Sequence, residues 1–199
     1  MKLSVKDLEF IAHVKQECKR VGVKCILRPA KSIKLEGSSR CSGYFDSENK
    51  ELVVAMKQKN SLAILVHEYG HLTQWLDKIE IWDRADISLP KMTDWLEGKK
   101  IHNIQKHLSV VRDLELDNEK RSVKIIKKWG LSINTEEYTR KANAYVHFYN
   151  YLYYSRKWSK PSNTPYNNKK IISLMSSRFN MRYDVLPKHI KEVFEKENI

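Results

Sequence analysis

Cysteine, proline and glycine are scarce in this 199-residue chain, which has 3, 5 and 6 of them. Three cysteines with no CxxC pair cannot form a dense disulfide framework, so we expect free thiols in a reducing, cytoplasmic environment. The few glycines and prolines exclude collagen-like and low-complexity chains. No apolar run approaches the roughly 20 residues of a membrane helix, and the N-terminal sequence soon becomes charged. We therefore expect neither a membrane segment nor a signal peptide.

Hydrophobic and charged residues are both plentiful. Hydrophobic residues make up 41% of the chain and aromatic residues 10%, which favours a folded core over disorder. Lys and Arg number 37 against 24 Asp and Glu, a net charge of +13. The excess is uneven, because residues 61–119 carry 7 basic and 11 acidic side chains whereas residues 120–199 carry 17 and 6. The C-terminal excess is typical either of solvated helix faces or of a surface for nucleic acid or another polyanion.

The hydrophobic pattern predicts an α+β fold. We expect a small, mostly antiparallel sheet packed on a buried helix, followed by a helical C-terminal half. The buried helix should be capped by Ser61 and should run to about residue 78. Residues 80–98 should form an irregular connection, because Pro90 and Gly98 interrupt them.

The rest of the pattern divides the chain into a domain over residues 1–158 and a basic extension over residues 159–199. The extension begins with a polar loop and should contain short helices around 170–180 and 188–196. Other predicted elements are an opening helix over 5–20, strands over 23–27, 33–35, 41–45 and 52–56, and helices over about 101–129 and 134–158.

The segment from Leu62 to Leu72 contains an HExxH motif in an apolar, helix-forming context. Positions four apart lie on nearly one face of a helix, so the rings of His67 and His71 can converge on one Zn²⁺ ion. Glu68 then lies beside a metal-activated water and can take its proton as general base. HExxH also occurs by chance on exposed helices, but here the flanking residues are too apolar for a solvated helix.

A catalytic zinc of this type has a third protein ligand. Asp77, six residues after His71, occupies the position that some zincins use, but that arrangement needs a helix break, usually at a glycine where this chain has Gln74. Glu115 is the stronger candidate, because it lies in a buried-type stripe on the next long helix and a carboxylate there is costly unless bound. Glu119, one turn later, could accept the outer N–H of a ligand histidine. The stripe contains Leu108, Val111, Glu115, Asn118, Ser122, Ile125 and Trp129.

The acidic residues of this helix have a second interpretation. Asp113, Glu115, Asp117 and Glu119 could form a solvated acidic face that pairs with neighbouring arginines. The alternating charges make this interpretation reasonable for Asp113 and Asp117 and weaker for Glu115.

An aromatic run on a basic helix, from Tyr145 to Tyr154, has three interpretations. Tyr145, His147 and Tyr149 are each candidates for stabilising an oxyanion during hydrolysis. Interleaved with basic residues, the run could also stack on single-stranded nucleic acid. The default expectation for such residues is core packing.

The order of strand 43–46, hairpin, strand 51–55, HExxH helix and Glu-bearing helix resembles the gluzincin metallopeptidases. More narrowly it resembles the phage metallopeptidases and the ImmA/IrrE-like and SprT-like single-domain zincins. The resemblance covers about residues 23–130. It implies a zincin-like fold and Zn²⁺ as cofactor, with His67 and His71 as ligands, Glu68 as general base and Glu115 as third ligand. The chain departs from many gluzincins at Glu119, where they have aspartate, and it lacks the cysteines of a SprT-type zinc ribbon.

We therefore expect a zinc-dependent endopeptidase acting on a peptide or protein substrate in a cytoplasm, that of the host cell if a phage encodes it. The substrate should bind along the edge strand Gly43–Phe45 by strand addition. The alternative is a zincin-fold binding module for nucleic acid or a protein partner, with little or no proteolysis. The basic C-terminal region would be the nucleic-acid surface, and we expect no membrane partner.

Overall fold

The computed structural model describes residues 3–35 and 40–199, which form seven helices and five strands and confirm the α+β class. The strands are β1 (Lys24–Arg28), β2 (Ile33–Lys34), β3 (Arg40–Cys41), β4 (Gly43–Asp46) and β5 (Glu51–Ala55). The helices are α1 (Val5–Arg20), α2 (Ser61–Leu76), α3 (Glu80–Leu96), α4 (Ile104–Trp129), α5 (Thr135–Ser155), α6 (Lys169–Leu174) and α7 (Lys188–Lys196). The chain divides into two compact units, the first formed by residues 1–77 and 121–133 and the second by residues 78–120 and 134–199.

The first unit is built on a three-stranded sheet with the order β1-β5-β4. β5 lies in the middle, parallel to β1 and antiparallel to β4, and its residues Leu52–Ala55 are all buried. A short antiparallel pair, β2 and β3, forms a separate ladder. Two of the three strand pairings are antiparallel, as the sequence predicts. β4 is therefore an edge strand, with its one ladder in the described part of the chain formed to β5.

α2 packs on β4 and β5, and its apolar residues provide the core of the first unit. Leu62, Leu65, Val66 and Leu72 are buried, which confirms the predicted buried helix. The cap was predicted wrongly. Ser61 is the first residue inside α2, because the turn begins earlier and the N–H of Ile64 already donates to the carbonyl of Asn60.

The second unit is a helical cluster whose core is shared by α3, the first part of α4 and α5. Trp95, Leu108, Val111, Phe148 and Leu152 belong to one buried group.

Two predicted helix ends are confirmed. Gly130 follows α4 in a left-handed conformation, and the side chain of Asn134 caps α5 by accepting from the backbone of Glu137.

Residues 80–98 were predicted wrongly as an irregular connection, because α3 runs through most of this segment with Pro90 inside it. Proline has no N–H to donate to the carbonyl four residues earlier, which costs about 3 kcal/mol in a helix interior. Burial of one apolar stripe offsets this cost, since each large buried side chain contributes roughly 1.5–3 kcal/mol. The buried residues of α3 follow helical spacing: Ala85, Ser88, Met92 and Trp95.

The segment after residue 158 packs on α5. Ile171, Ile190 and Phe194 join the same buried group as Phe148 and Leu152, and the ring centroids of Tyr151 and Phe194 lie 5.1 Å apart. The predicted short helices are present as α6 and α7, and the polar residues before them are irregular. The predicted domain boundary at residue 158 stays a prediction. Within the part of the chain that the structure describes, no helix combines the length and the apolar character needed to cross a bilayer.

His147 gives the second unit a testable pH dependence. It is fully buried on α5, stacks on Tyr183, and among the described residues neither ring nitrogen has a hydrogen-bond partner. Burial, with Arg112 and His189 nearby, lowers the pKa of His147 to about 4. The unfolded value is near 6.5, so the stability that the neutral ring contributes is complete above about pH 6.5 and is lost as the pH falls towards 4.

We expect wild-type protein to lose on the order of 3 kcal/mol of unfolding free energy through His147 between pH 6.5 and 4. His147→Leu removes the titrating group and should flatten this part of the profile. Urea unfolding across this range, with EDTA present so that bound metal does not contribute, measures the difference. Equal pH slopes in the two proteins would contradict the assignment.

Candidate metal centre

The motif residues lie in the middle of α2, with Glu68 buried and the two histidines half-buried. His67 and His71 are half-buried one turn apart, with buried apolar residues on either side of them in the sequence. Because α2 is fixed by that packing, the backbone positions of the two histidines are fixed as well.

The two imidazole rings converge through the same type of nitrogen. The Nε2 atoms of His67 and His71 lie 3.2 Å apart, and the ring planes are nearly perpendicular at 87°. Two nitrogens bound to one tetrahedral zinc at 2.0–2.1 Å are separated by about 3.3–3.4 Å. The pair therefore has the spacing of two ligands of one ion, without any movement of the helix.

Glu68 is buried against the edge strand. Its side chain is 7% exposed, and it faces Gly43 at the start of β4. A Cβ at position 43 would lie 2.7 Å from Cγ2 of Ile64, which is closer than real Cβ contacts, and 3.0 Å from Cγ of Glu68, which is tighter than most of them. Glycine at this position therefore lets the backbone of the edge strand approach the carboxylate directly. Burial is the main cause that raises the thiol pKa of Cys41, and the negative charge of Glu68 raises it further.

Gln74 contacts the outer nitrogen of His71. Its Oε1 lies 2.9 Å from Nδ1 of His71, and the glutamine is completely buried. The sequence indicates position 74 only as the place where a helix break would need glycine, and this contact is not among the predicted ones. The available signal was the i, i+3 spacing from His71, which places both side chains on one helix face.

Glu115 lies on the buried face of α4, as the sequence predicts, with 9% of its surface exposed. The hydroxyl of Tyr149 donates to Oε1 of Glu115 over a long 3.4 Å, and the hydroxyls of Tyr145 and Tyr149 are 2.8 Å apart. Burial and then the charge of Glu115 raise the pKa of both tyrosines well above the usual range. Both phenols are therefore protonated at neutral pH, so that Tyr149 can donate to the carboxylate and Tyr145 to the hydroxyl of Tyr149.

His67, His71 and Glu115 together can hold a metal ion. Each offers one ligand atom, and these atoms all lie within 4.8 Å of one another. Two imidazole nitrogens and one carboxylate oxygen match the donor set of catalytic zinc sites, in which three protein ligands leave a fourth position open.

The competing third-ligand candidates have other contacts. Asp77 is exposed at the C-terminal end of α2, where its Oδ2 lies 2.5 Å from Nη1 of Arg121. The helix does not break after His71, so the geometry that would bring Asp77 to the motif is not formed. Asp113 forms an ion pair with Arg112 at 2.7 Å, as the solvated-face interpretation predicts for it.

The other predicted site residues separate into two groups. Tyr145 and Tyr149 lie one turn apart on α5 and are linked to Glu115, whereas His147 stacks on Tyr183 with its ring centroid 5.5 Å away. Glu119 is buried one turn beyond Glu115, and its charge adds to burial and to Glu115 in raising the pKa of Tyr149. The expected role of Glu119 at a histidine remains a prediction, and at His71 the outer nitrogen is contacted by Gln74.

The chain matches no known protein-family model, no curated protein and no solved structure.

The donor set predicts about one metal ion per chain. His67→Ala or His71→Ala should abolish binding, because a single imidazole cannot replace the converging pair. Glu115→Ala should weaken binding by roughly a hundred-fold or more, since loss of an outer contact alone costs about 10–100-fold. Elemental analysis and competition with a zinc chelator measure both effects. Asp77→Ala is the matched control, and undiminished affinity in Glu115→Ala would remove Glu115 from the site.

Proposed function

We propose that this protein is a zinc-dependent metallopeptidase that hydrolyses internal peptide bonds of a peptide or protein substrate. The observation that carries the proposal is the convergence of the His67 and His71 Nε2 atoms to 3.2 Å on the helix that also carries the buried Glu68. A zincin-like fold is part of this proposal. It is supported by the helix α2 packed on an edge strand and by the buried Glu115 on α4.

Zinc is the metal that this donor set favours. Magnesium and calcium prefer sites made entirely of oxygen, whereas two imidazoles and a carboxylate suit zinc. When bound in such a site, zinc lowers the pKa of water towards about 7 and polarises a carbonyl group. His67, His71 and Glu115 would hold it.

Glu68 supplies the proton transfer. It follows His67 directly in the HExxH motif, and in this proposal its carboxylate acts on the attacking water and does not bind the metal. It takes one proton from the water whose oxygen bonds to the carbonyl carbon of the substrate. As the carbon–nitrogen bond breaks, that proton passes to the departing amine, and Glu68 returns to its starting charge. Only 7% of Glu68 is exposed, and the exclusion of bulk water strengthens the electrostatic interactions of its carboxylate.

The substrate would lie along β4. This strand is at the edge of the sheet, so its outward backbone groups can pair with an extended peptide. Gly43 stands at the beginning of the strand and directly against Glu68. A peptide added as a further strand would therefore carry one of its peptide bonds past the general base. Folded proteins rarely offer extended segments, so we expect flexible loops or linkers to be cleaved.

A cytoplasmic location agrees with the cysteines. Cys18, Cys25 and Cys41 are all free thiols in the structure, and Cys18 and Cys25 share a hydrogen bond. Free thiols of this kind are usual in proteins of a reducing compartment.

Glu68→Gln separates the base from the ligands. The amide keeps the size of the side chain but cannot accept the proton of the attacking water, so hydrolysis should fall by about 10²–10⁴-fold while metal content stays unchanged. Cleavage of a mixed peptide library by the zinc-loaded protein, followed by mass spectrometry, measures the rate. Glu48→Gln, an exposed carboxylate on the hairpin, is the control and should cleave like wild type. If Glu68→Gln cleaved as fast as wild type, the mechanism would be wrong.

Nucleic-acid binding is a second candidate function, and one observation favours it. Lys124, Lys127 and Lys128 are exposed at three- and four-residue spacing near the end of α4, so they form one basic helix face. Such a face can contact successive phosphates without reading sequence.

Neutralising Lys124, Lys127 and Lys128 to glutamine tests this candidate. Each lost phosphate contact should lower the slope of binding affinity against salt by about one, so the triple variant should lose about three. Fluorescence titration with single- and double-stranded oligonucleotides over a range of salt concentrations measures it. The matched control neutralises three exposed lysines elsewhere, Lys19, Lys57 and Lys59. Equal losses in both triple variants would mean that net charge alone attracts the nucleic acid.

A further inference from the structure

Gln74 contacts a metal-ligand candidate but lies outside the predicted set of site residues. We propose that Gln74 is a positioning residue, whose amide oxygen fixes the ring orientation and the tautomer of His71 so that Nε2 is the nitrogen that binds metal. The inference rests on the proposed metal site, but it does not depend on the proposed hydrolysis.

Hydrogen bonding at His71 is consistent with only one tautomer. A neutral imidazole has one N–H and one lone pair. Oε1 of Gln74 accepts from Nδ1 at 2.9 Å, which places the proton on Nδ1 and leaves the lone pair on Nε2. The second contact fits the same state, because Nε2 of His71 lies 3.2 Å from Nε2 of His67 and can accept a hydrogen bond from it. The lone pair therefore points to the place where His67 also converges.

Burial gives the contact its energetic importance. Gln74 is completely buried in a helix whose other inward residues are mostly apolar, and a buried amide that loses its hydrogen bonds costs about 1–3 kcal/mol. The position lies one turn after His71, on the same face of α2. The hydrogen bond to His71 therefore satisfies part of the buried amide of Gln74.

The chemistry of glutamine differs from that of the carboxylates that often occupy this role. An amide oxygen fixes the ring without adding a negative charge, whereas a carboxylate also makes the imidazole a stronger donor to metal. Gln74→Glu should therefore preserve the tautomer and bind zinc at least as tightly as wild type. Gln74→Leu keeps the volume but cannot accept, so zinc affinity should fall about 10–100-fold.

The first measurement is zinc affinity by competition with a chromophoric chelator, for wild type, Gln74→Leu and Gln74→Glu. Thr73→Val is the matched control, since the Thr73 hydroxyl bonds to the carbonyl of Gly70 on the same helix and does not touch the histidine. Circular dichroism melts in EDTA test whether each variant folds. Loss of affinity in Gln74→Leu, recovery in Gln74→Glu and no change in Thr73→Val are the expected results. Wild-type affinity in Gln74→Leu overturns the inference.

The second measurement needs neither zinc nor catalysis. Long-range ¹H–¹⁵N NMR spectra of EDTA-treated protein at pH 8 report which ring nitrogen of each histidine carries the proton. Wild type and Gln74→Glu should show His71 protonated on Nδ1, and Gln74→Leu should show a mixture of both tautomers. A wild-type spectrum with the His71 proton on Nε2 overturns the inference. The proposed hydrolysis fails independently, if zinc-loaded protein with the expected tautomer cleaves no peptide.

Discussion

Burial of α2 is the constraint on which the candidate site depends. Leu62, Leu65 and Leu72 are fully buried, and exposing any one of them would cost roughly 1.5–3 kcal/mol. The helix therefore cannot rotate or slide to a different register on the sheet. Two imidazoles whose Nε2 atoms lie 3.2 Å apart need that rigidity, because a displacement of one ångström would remove the convergence. Packing energy from apolar residues is thus what holds the polar ones in place.

Two contacts of the ligand candidates are made by uncharged groups. His71 meets the amide of Gln74, and Glu115 meets the phenol of Tyr149, which stays protonated because its pKa is raised by burial and by Glu115. In an environment poor in water, each additional charge needs a partner, whereas an amide or a phenol satisfies a polar atom without one. These contacts orient the ligand atoms and leave the charge of the donor set unchanged.

Patterns that repeat along a helix could be predicted from the sequence, whereas features that depend on contacts between elements could not. The i, i+4 histidines and the stripe that buries Glu115 are local, and both hold in the structure. α3 was not predicted, because Pro90 disfavours a helix and the burial of one helix face that offsets this cost cannot be seen in the local sequence. The role of Gly43 was beyond prediction, since nothing near it in the sequence indicates that Glu68 packs against it.

The two candidate functions rest on different kinds of side chain. Nucleic-acid binding rests on exposed lysines of α4. Other basic and aromatic residues that could contribute to it already have contacts within the fold. Arg156 is already engaged as the left-handed C-cap of α5, where it donates to the carbonyls of Trp95 and Lys99. In the aromatic run Phe148, Tyr149 and Tyr151 are buried, and only Tyr153 and Tyr154 at its end are exposed. Exposed lysines are common on the surface of folded proteins, so their presence alone indicates no particular ligand. The metal site rests on a more specific arrangement, because His67, His71 and Glu115 offer ligand atoms that all lie within 4.8 Å of one another.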